Sequence, residues 1–303
     1  MNPCKDLERE AHEHFNPQDK MSPAQSLDHL ILFVPVNPDT KLPQLPPFFE
    51  SNFTLTPGGF HADGATSNTL ILLADGCYIE LISFVDPAKA PSHWWGPDAN
   101  FTGWKDWCLT NSKSPEENYQ NITTTHDEPI RGERKRADGV DVKWAVTFPK
   151  GEKGGQDVRG KIPFFCHDVT ERKVRVPLSA EKTEHSCGAL GVKQITVVVK
   201  NQALLEETRK TYGSVLGTDG TAENDSVSFP VGRVCHVEGL DEGAKVVLRL
   251  PKDTAESKAA DDTGFWYGDV TLAAKASSGK AVGTCERLDG GQDSVRGLWV
   301  EYV

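Results

Sequence analysis

The chain has 303 residues, which is enough for one large or two ordinary domains with a full hydrophobic core. Apolar residues make up 37% of it, and 27 Gly with 19 Pro are typical of a protein rich in strands and loops. The formal net charge of -11 argues against a nucleic-acid partner, because binding to a phosphate backbone requires a face rich in Lys and Arg.

Basic residues concentrate in one short cluster, 131–136, which also contains a Glu and which we interpret as a solvated loop. No run reaches the apolar length that a bilayer demands, and the polar N-terminal tail, 1–25, has no hydrophobic signal segment. The seven cysteines are scattered without a C-x-x-C pair, which favours reduced thiols in a cytoplasmic protein over a disulfide framework.

The first strand is predicted at Leu27, where L-D-H-L-I-L-F-V-P begins, and the Pro-rich segment 38–51 allows only a short helix after it. Residues 53–57 predict a second strand. Residues 68–74 and 77–85 are two apolar, β-branched runs joined by Asp-Gly, which is the turn chemistry of an antiparallel hairpin. The predicted order is therefore strand, helix, strand, strand, strand.

A carboxylate lies inside the second strand of this hairpin. Glu80 alternates with Tyr78 and Ile82, so it shares their face and points where apolar residues point. Because a buried unpaired carboxylate is costly, Glu80 needs a cation, a hydrogen-bonding partner or a metal ion.

The middle of the chain is polar and aromatic, and the spacing of Trp104 and Trp107 favours an amphipathic helix that packs on the sheet. Residues 140–149 and 162–169 predict two strands separated by a loop rich in Gly and Lys. The charged stretch 170–187 predicts a loop, and we place the boundary between two halves of the protein there.

The order of elements restarts after this boundary. Residues 192–200 predict a strand, Asn201 a helix N-cap and Gly213 the end of that helix. Further strands are expected at 227–231, 244–250, 265–273 and 297–303. Two copies of one module, 26–170 and 171–303, are therefore expected.

At these motifs the chain resembles the glyoxalase-like branch of the vicinal oxygen chelate (VOC) superfamily. The resemblance rests on L-D-H-L-I-L-F-V-P, on G-G-F-H-A-D-G-A-T-S-N-T-L-I-L-L-A-D-G-C-Y-I-E-L-I-S-F, and on the shorter I-P-F-F-C and H-S-C-G-A-L-G-V. It implies an α+β fold in which paired βαβββ modules form an incomplete, curled barrel of mixed β-sheet, with helical and loop insertions. It also implies a divalent metal ion between the modules, namely Zn, Ni, Co, Mn or Fe(II).

The resemblance implies metal ligands on the first and last strands of each module. Carried onto this sequence, they are His29 and Glu80 in the first module and Gln194 and Glu301 in the second, with Asp269 competing with Glu301. Glu80 or Glu301 would be the catalytic base. The plain alternatives are a core histidine for His29, an ion pair for Glu80, and surface positions for the other two.

Four further residues are predicted to line a substrate site. His61 and Asn68 flank the loop around Gly64 and could hydrogen-bond a substrate, with fixing of that loop as the equal alternative. His93 and Trp95 could form a pocket wall, with aromatic packing as the commoner explanation.

The implied function is a metal-dependent VOC-type enzyme of the lyase or isomerase class, acting on a small organic molecule with two neighbouring oxygens. The Trp and Phe residues of the middle segment favour a substrate with an apolar or aromatic body. The alternatives are a metal-free protein that binds or sequesters a hydrophobic small molecule, and an interaction protein with a vestigial cleft. A small-molecule substrate and a homodimer are the expected partners, with neither nucleic acid nor membrane.

Overall fold

A computed structural model describes residues 23–136, 138–291 and 295–303, so nearly all of the predicted tail at 1–25 lies outside the described residues. The chain forms one eight-stranded and one seven-stranded mixed sheet. Helices are few beside them, which confirms the predicted α+β class with mixed β-sheet.

The predicted strand, helix, strand, strand, strand order is confirmed at the start of the chain. Its elements are β1 (Ser26–Phe33), α1 (Pro47–Asn52), β2 (Thr56–Phe60), β3 (Thr66–Leu72) and β4 (Tyr78–Phe84). Strand β1 pairs in parallel with β4, and β3 pairs antiparallel with both β2 and β4. The hairpin predicted around Asp-Gly is thus β3 and β4.

A second unit of the same kind follows within the same sheet. Its elements are β5 (Gly103–Thr110), α2 (Pro115–Ile122), β6 (Ile130–Lys135), β7 (Asp141–Thr147) and β8 (Phe164–Asp168). Strand β5 is parallel to β8, and β7 is antiparallel to its neighbours β6 and β8. Antiparallel pairing of β1 with β5 joins the units into the order β2-β3-β4-β1-β5-β8-β7-β6.

Two sequence predictions are wrong in this second unit. Trp104 and Trp107 lie on strand β5 and not on an amphipathic helix, because a register shift in its pairing with β1 lets residues three apart share one buried face. The basic cluster 131–136 mostly forms edge strand β6 and not a loop, since Ile130 and Gly132 alternate with its charged side chains.

The seven-stranded sheet repeats the pattern. A third unit comprises β9 (Ala189–Val199), α5 (Gln202–Leu216), β10 (Thr221–Glu223), β11 (Ser226–Val231) and β12 (Ala244–Arg249). A shortened fourth comprises β13 (Phe265–Ala274), β14 (Cys285–Arg287) and β15 (Leu298–Tyr302), preceded by α6 (Thr254–Ala259). Helices α3 (Arg172–Arg175) and α4 (Ala180–Thr183) link the sheets.

Asn201 caps α5 as predicted, since its Oδ1 accepts from the Leu204 amide. The helix ends at Gly217, whose φ of 71° is left-handed, and not at Gly213. Residues 26–170 hold two βαβββ units, and the boundary after 170 falls between the last strand of one sheet and the first of the next. We therefore retain the division into 26–170 and 171–303 as a proposal.

The two sheets meet where β5 faces α5. The Trp107 and Tyr212 rings are both buried, with their centroids 5.8 Å apart. Tyr212 Oη donates to the Lys161 carbonyl at 2.5 Å, and Trp104 Nε1 donates to the Gly297 carbonyl at 3.1 Å. A single apolar core therefore draws residues from both sheets.

Among the described residues, no helix combines the length and the apolar character needed to cross a bilayer.

Candidate functional site

A cavity of about 320 Å³ lies within the eight-stranded sheet. Its polar wall comes from the first βαβββ unit and consists of His29, His61, Asn68 and Glu80. Its apolar wall comes from the second unit and the segment before it, and includes Trp95, Trp144, Phe148, Phe164 and Cys166. The cavity therefore sets a polar group of four residues against a mostly aromatic surface.

Strand alternation brings the polar wall together. Glu80 on β4 and its neighbour Tyr78 both line the cavity, as their shared face predicts. Tyr78 lies opposite His29 in the parallel β1–β4 pair, and the two rings stack with centroids 4.7 Å apart. Asn68 reaches the same point from β3, and His61 follows the end of β2.

A glycine at position 58 makes room for Asn68. A β-carbon there would lie 1.9 Å from Asn68 Oδ1, so a larger residue would displace the amide. Asn68 Oδ1 accepts from the Gly59 amide at 2.9 Å, which turns the Nδ2 group toward Glu80. Asn68 Nδ2 then donates to Glu80 Oε1 at 2.6 Å.

Glu80 is 6% exposed and is surrounded by donors. His61 Nε2 lies 3.4 Å from its Oε1, and His29 Nε2 lies 3.7 Å from its Oε2. Burial alone would raise the pKa of Glu80, but the hydrogen bond and charge of His61, the charge of His29 and the bond from Asn68 lower it to about 2. Glu80 is therefore a carboxylate at neutral pH.

Both histidines are anchored through Nδ1. His29 Nδ1 lies 2.5 Å from Asp28 Oδ1, and His61 Nδ1 lies 2.6 Å from Thr66 Oγ1. The remaining nitrogen of each ring, Nε2, faces the Glu80 carboxylate. An outer hydrogen bond of this kind fixes the ring orientation of a histidine that binds a metal or moves a proton.

Asp28 is itself held by a buried ionic network. Arg172 and Arg175 of α3 both donate to Asp28 and to Asp168, and Arg175 also donates to Tyr78 Oη at 2.8 Å. Burial would raise the pKa of Asp28, but the two guanidinium groups hold it well below its usual range. The linker helix α3 thus fixes the residue that orients His29.

Two groups of side chains in the described chain offer metal-binding atoms. Asp28, His29 and Cys108 have ligand spacing, with their ligand atoms within 4.8 Å of one another. Asp28 is already neutralised there by two arginines, and burial raises the pKa of the Cys108 thiol well above its usual value, so this group does not suit a cation. His29, His61 and Glu80 bring together the residue types of a 2-His-1-carboxylate donor set, with the two Nε2 atoms near different oxygens of the one carboxylate.

The structure divides the four predicted ligands between the two sheets, with His29 and Glu80 in the eight-stranded sheet and Gln194 and Glu301 in the seven-stranded sheet. Gln194 on β9 donates to Thr196 Oγ1 at 3.2 Å, and Glu301 on β15 accepts from Lys193 at 2.6 Å. Neither lines the cavity. The competing Asp269 pairs with Arg249, also in the seven-stranded sheet.

The four residues are separated because β1 pairs with β5 and not with β9. The second unit therefore places its own residues opposite the first. Cys108 lies opposite His29 across the strand pair, and Cys166 lines the cavity wall.

The predicted substrate-binding residues His61, Asn68 and Trp95 line the cavity, but His93 does not. The His93 ring is buried against Trp94, with centroids 4.4 Å apart, and its Nε2 lies 3.5 Å from Asp63 Oδ2. Burial lowers the pKa of His93 to about 4, so it is a neutral packing residue at pH 7.

Sequence reasoning missed Asp28 and, apart from Trp95, the residues of the aromatic wall. The signal for Asp28 was its place directly before His29 in L-D-H-L. The wall residues Trp144 and Phe148 lie on one face of the predicted strand 140–149, and the same pattern is expected of any strand with one buried face.

Asp106 supports the aromatic wall from behind and gives a pH prediction. Its carboxylate accepts from Trp95 Nε1 at 3.2 Å and from the Gly160 amide at 3.1 Å. Burial raises the pKa of Asp106 from 3.8 to about 6, although the charge of Arg159 and these bonds oppose it. A raised pKa means that the folded state gains its full stability from this group below pH 4 and loses it as the pH rises through 6.

We therefore expect the free energy of unfolding of the wild type, relative to Asp106→Asn, to fall by about 2 kcal/mol between pH 4 and pH 7. Urea titrations of both proteins across this range measure it, and taking the difference cancels the groups common to both. Asp98→Asn, at an exposed position, serves as the control and should leave the pH profile unchanged. A flat difference for Asp106→Asn would contradict the expected shift.

Comparison with known proteins gives a family and a fold. A family model described as a glyoxalase-like domain matches residues 27–215. A hypothetical protein from Staphylococcus aureus has a similar structure, with a TM-score of 0.62 and 15% identity over 92% of this chain and 100% of that chain. No curated protein matches.

Two solved structures of named proteins are also similar, at lower scores. The halotolerant catechol dioxygenase BphC has a TM-score of 0.40 and 13% identity over 93% of this chain and 86% of that chain. Methylmalonyl-CoA epimerase from Mycobacterium tuberculosis has a TM-score of 0.31 and 10% identity over 48% of this chain and 88% of that chain.

Proposed function

Because the chain belongs to the glyoxalase-like domain family of the VOC superfamily, we propose that it is a VOC-type enzyme that uses a divalent metal ion. The observation that carries the proposal is the pair of anchored imidazoles, His29 and His61, whose Nε2 atoms both face the Glu80 carboxylate. The substrate we propose is a small organic molecule with two neighbouring oxygens and an apolar or aromatic body.

His29, His61 and Glu80 would hold the metal ion, in place of the four ligands expected from the sequence. When bound, a divalent ion supplies Lewis acidity toward the oxygens of a chelating substrate. The donor set suits Fe(II), Mn, Co, Ni or Zn and does not select among them.

The protein's own residues have separable tasks. Asn68 donates a hydrogen bond to Glu80 Oε1, which leaves Oε2, the oxygen nearer His29, available to a ligand. A carboxylate with a pKa of about 2 is ionised at neutral pH and suits a cation ligand better than a general base, whose pKa lies ideally near the working pH. We retain the lyase or isomerase class on the family resemblance alone.

The aromatic wall would bind the substrate body. A cavity of about 320 Å³ lies at the lower end of the volumes typical of small-molecule sites. Trp95 and Phe164 pack edge to face at 6.4 Å, and Phe148 lies 5.3 Å from Phe164, so the wall is continuous. This wall is also what favours the second candidate, a metal-free protein that binds or sequesters a hydrophobic small molecule.

Metal titration of the full chain distinguishes the two candidates. The protein is stripped with a chelator and titrated with Mn²⁺, Fe²⁺ under argon, Co²⁺, Ni²⁺ and Zn²⁺ by calorimetry. We expect one equivalent per chain for at least one ion, and a loss of affinity of at least about 100-fold in Glu80→Gln and His61→Gln, because even outer-shell partners of ligands are worth about 10–100-fold.

Glu301→Gln and Gln194→Ala are the matched controls and should bind metal like the wild type. Circular dichroism of each variant separates loss of a ligand from loss of the fold. If the wild type binds none of the five ions, the metal-free candidate replaces the enzyme proposed above. If Glu301→Gln weakens binding as much as Glu80→Gln, the ligand assignment is wrong.

A further inference from the structure

Strand β6 forms part of the entrance to the cavity. Residues 130–134 line it together with Ala62 and Asp63 from the loop after β2. Ile130 is 56% exposed and Trp94 is 37% exposed, so this side of the cavity reaches the surface. Strand β6 has a single strand neighbour, β7, and ends the eight-stranded sheet.

One side chain of β6, Arg134, belongs to the cavity face. It lies opposite Val142 on β7, just as Gly132 lies opposite Trp144, and residues directly opposite in an antiparallel pair share a face. Trp144 lines the cavity, so Arg134 is on the same side of the sheet. Arg134 is half-buried there, whereas Lys135 projects from the other side.

Arg134 is also the charged residue of this cluster without a counter-charge among the described residues. Arg131 pairs with Glu116, Lys135 with Asp141 and Arg136 with Asp138. Glu133 pairs with Lys143. Glu133 and Asp63 also line this entrance, but neither forms an ion pair with Arg134, so in a chain of net charge -11 this half-buried arginine keeps its donors for a ligand.

The Trp144 indole lies against β6 at Gly132, two residues before Arg134. A β-carbon at Gly132 would lie 2.5 Å from Trp144 Nε1, so the absence of a side chain at Gly132 lets the indole lie against the strand. An occupant of this part of the cavity would contact the indole with its body and meet a guanidinium at its end. A guanidinium binds carboxylate or phosphate through two parallel hydrogen bonds.

We propose that the ligand of this cavity carries an anionic group, a carboxylate or a phosphate ester, that Arg134 binds at the entrance, beside an aromatic or apolar body that lies on Trp144. The inference specifies the substrate class of the proposed enzyme and rests on that function for the identity of the ligand as a substrate. Arg134 is then a specificity-determining residue, since it touches the end of the ligand and not its reacting oxygens.

Three probes of one shape test this proposal by calorimetry on the full-length, metal-free protein: 1-naphthoate, 1-naphthyl phosphate and the neutral 1-naphthamide. We expect at least one anionic probe to bind about 10-fold more tightly than naphthamide, because a hydrogen bond to a charged group is stronger than a neutral one. The tighter of the two anions identifies the carboxylate or the phosphate class. Arg134→Gln should remove the preference and leave naphthamide binding unchanged.

Lys135→Gln is the matched control, since it removes a neighbouring charge from the opposite face of the same strand and should keep the preference. If Arg134→Gln and Lys135→Gln reduced the preference for anionic probes equally, the assignment would be overturned, because the preference would then come from the overall positive charge of the strand and not from Arg134. Equal affinity of the wild type for all three probes, or binding of none, would also overturn it. Since no metal is present, failure of the metal site is decided independently by the titrations described above.

Discussion

Arg175→Met is expected to lower the free energy of unfolding by about 3–5 kcal/mol, because removal of one partner leaves a buried charge uncompensated. Arg175 is buried and donates to both oxygens of Asp28 at 2.9 Å and to Asp168 at 2.6 and 3.0 Å. Without it, two carboxylates would share the single guanidinium of Arg172. Met fills a similar volume, so the effect reports the charge and not a cavity.

Urea denaturation at pH 7 measures the loss, and Lys173→Met is the matched control on the same helix. Lys173 pairs with Glu171 at the surface, where both side chains are more than half exposed, so its loss should change stability by less than about 0.5 kcal/mol. An equally small effect at Arg175 would show that the network contributes no net stability. Arg175→Lys should be intermediate, because a lysine keeps the charge but cannot donate to both carboxylates at once.

The same substitution also bears on the site. Asp28 orients His29 through Nδ1, and Arg175 fixes both Asp28 and the Tyr78 ring that stacks on His29. This chain of contacts links α3, which lies outside both sheets, to the polar wall of the cavity. Residual metal affinity in Arg175→Met would therefore measure how far the outer contacts position the imidazole.

Local patterns were enough to predict the first βαβββ unit and the direction of Glu80. The β3–β4 hairpin has a strong turn signal, and strict alternation along β4 fixes which side chains face the cavity. The family resemblance and the VOC-like fold, both based on these strands, are confirmed.

Two strands of the second unit were predicted, but the unit was not recognised as a βαβββ module, because its residues at the positions of His29 and Glu80 carry no recognisable chemistry. Cys108 lies opposite His29 on the neighbouring strand, and Cys166 lines the cavity from β8 as Glu80 does from β4. A register shift in β5 also gives Trp104 and Trp107 a spacing typical of a helix. Because the second unit was not recognised, the sequence analysis paired the first unit with the next recognisable copy, which contains Gln194.

The ion pairs that support the site could not be predicted from local sequence patterns either. Asp28 and Arg175 are 147 residues apart in sequence, and no periodicity or motif connects them. Long-range ion pairs of this kind depend on the path of a linker. That path follows from how the two sheets pack, which no single segment encodes.

That packing can be tested at Trp107, where Trp107→Ala is expected to destabilise the protein by about 3–5 kcal/mol. Trp107 is fully buried between β5 and α5, against the Tyr212 ring, and its Nε1 donates to the Gly160 carbonyl at 3.0 Å. The substitution would open a large cavity and leave that carbonyl without its partner.

Trp94→Ala provides the comparison, since Trp94 is 37% exposed and its loss should destabilise the protein less than the loss of the fully buried Trp107. Because one apolar core joins the two sheets, fluorescence and far-UV circular dichroism should follow a single urea transition in the wild type, and Trp107→Ala should move both signals together. A variant in which one signal moves while the other stays in place would mean that the sheets unfold independently. The contact between Trp107 and Tyr212 would then be a weak interface between two domains, and the linker carrying Arg172 and Arg175 would have to be positioned by the eight-stranded sheet alone.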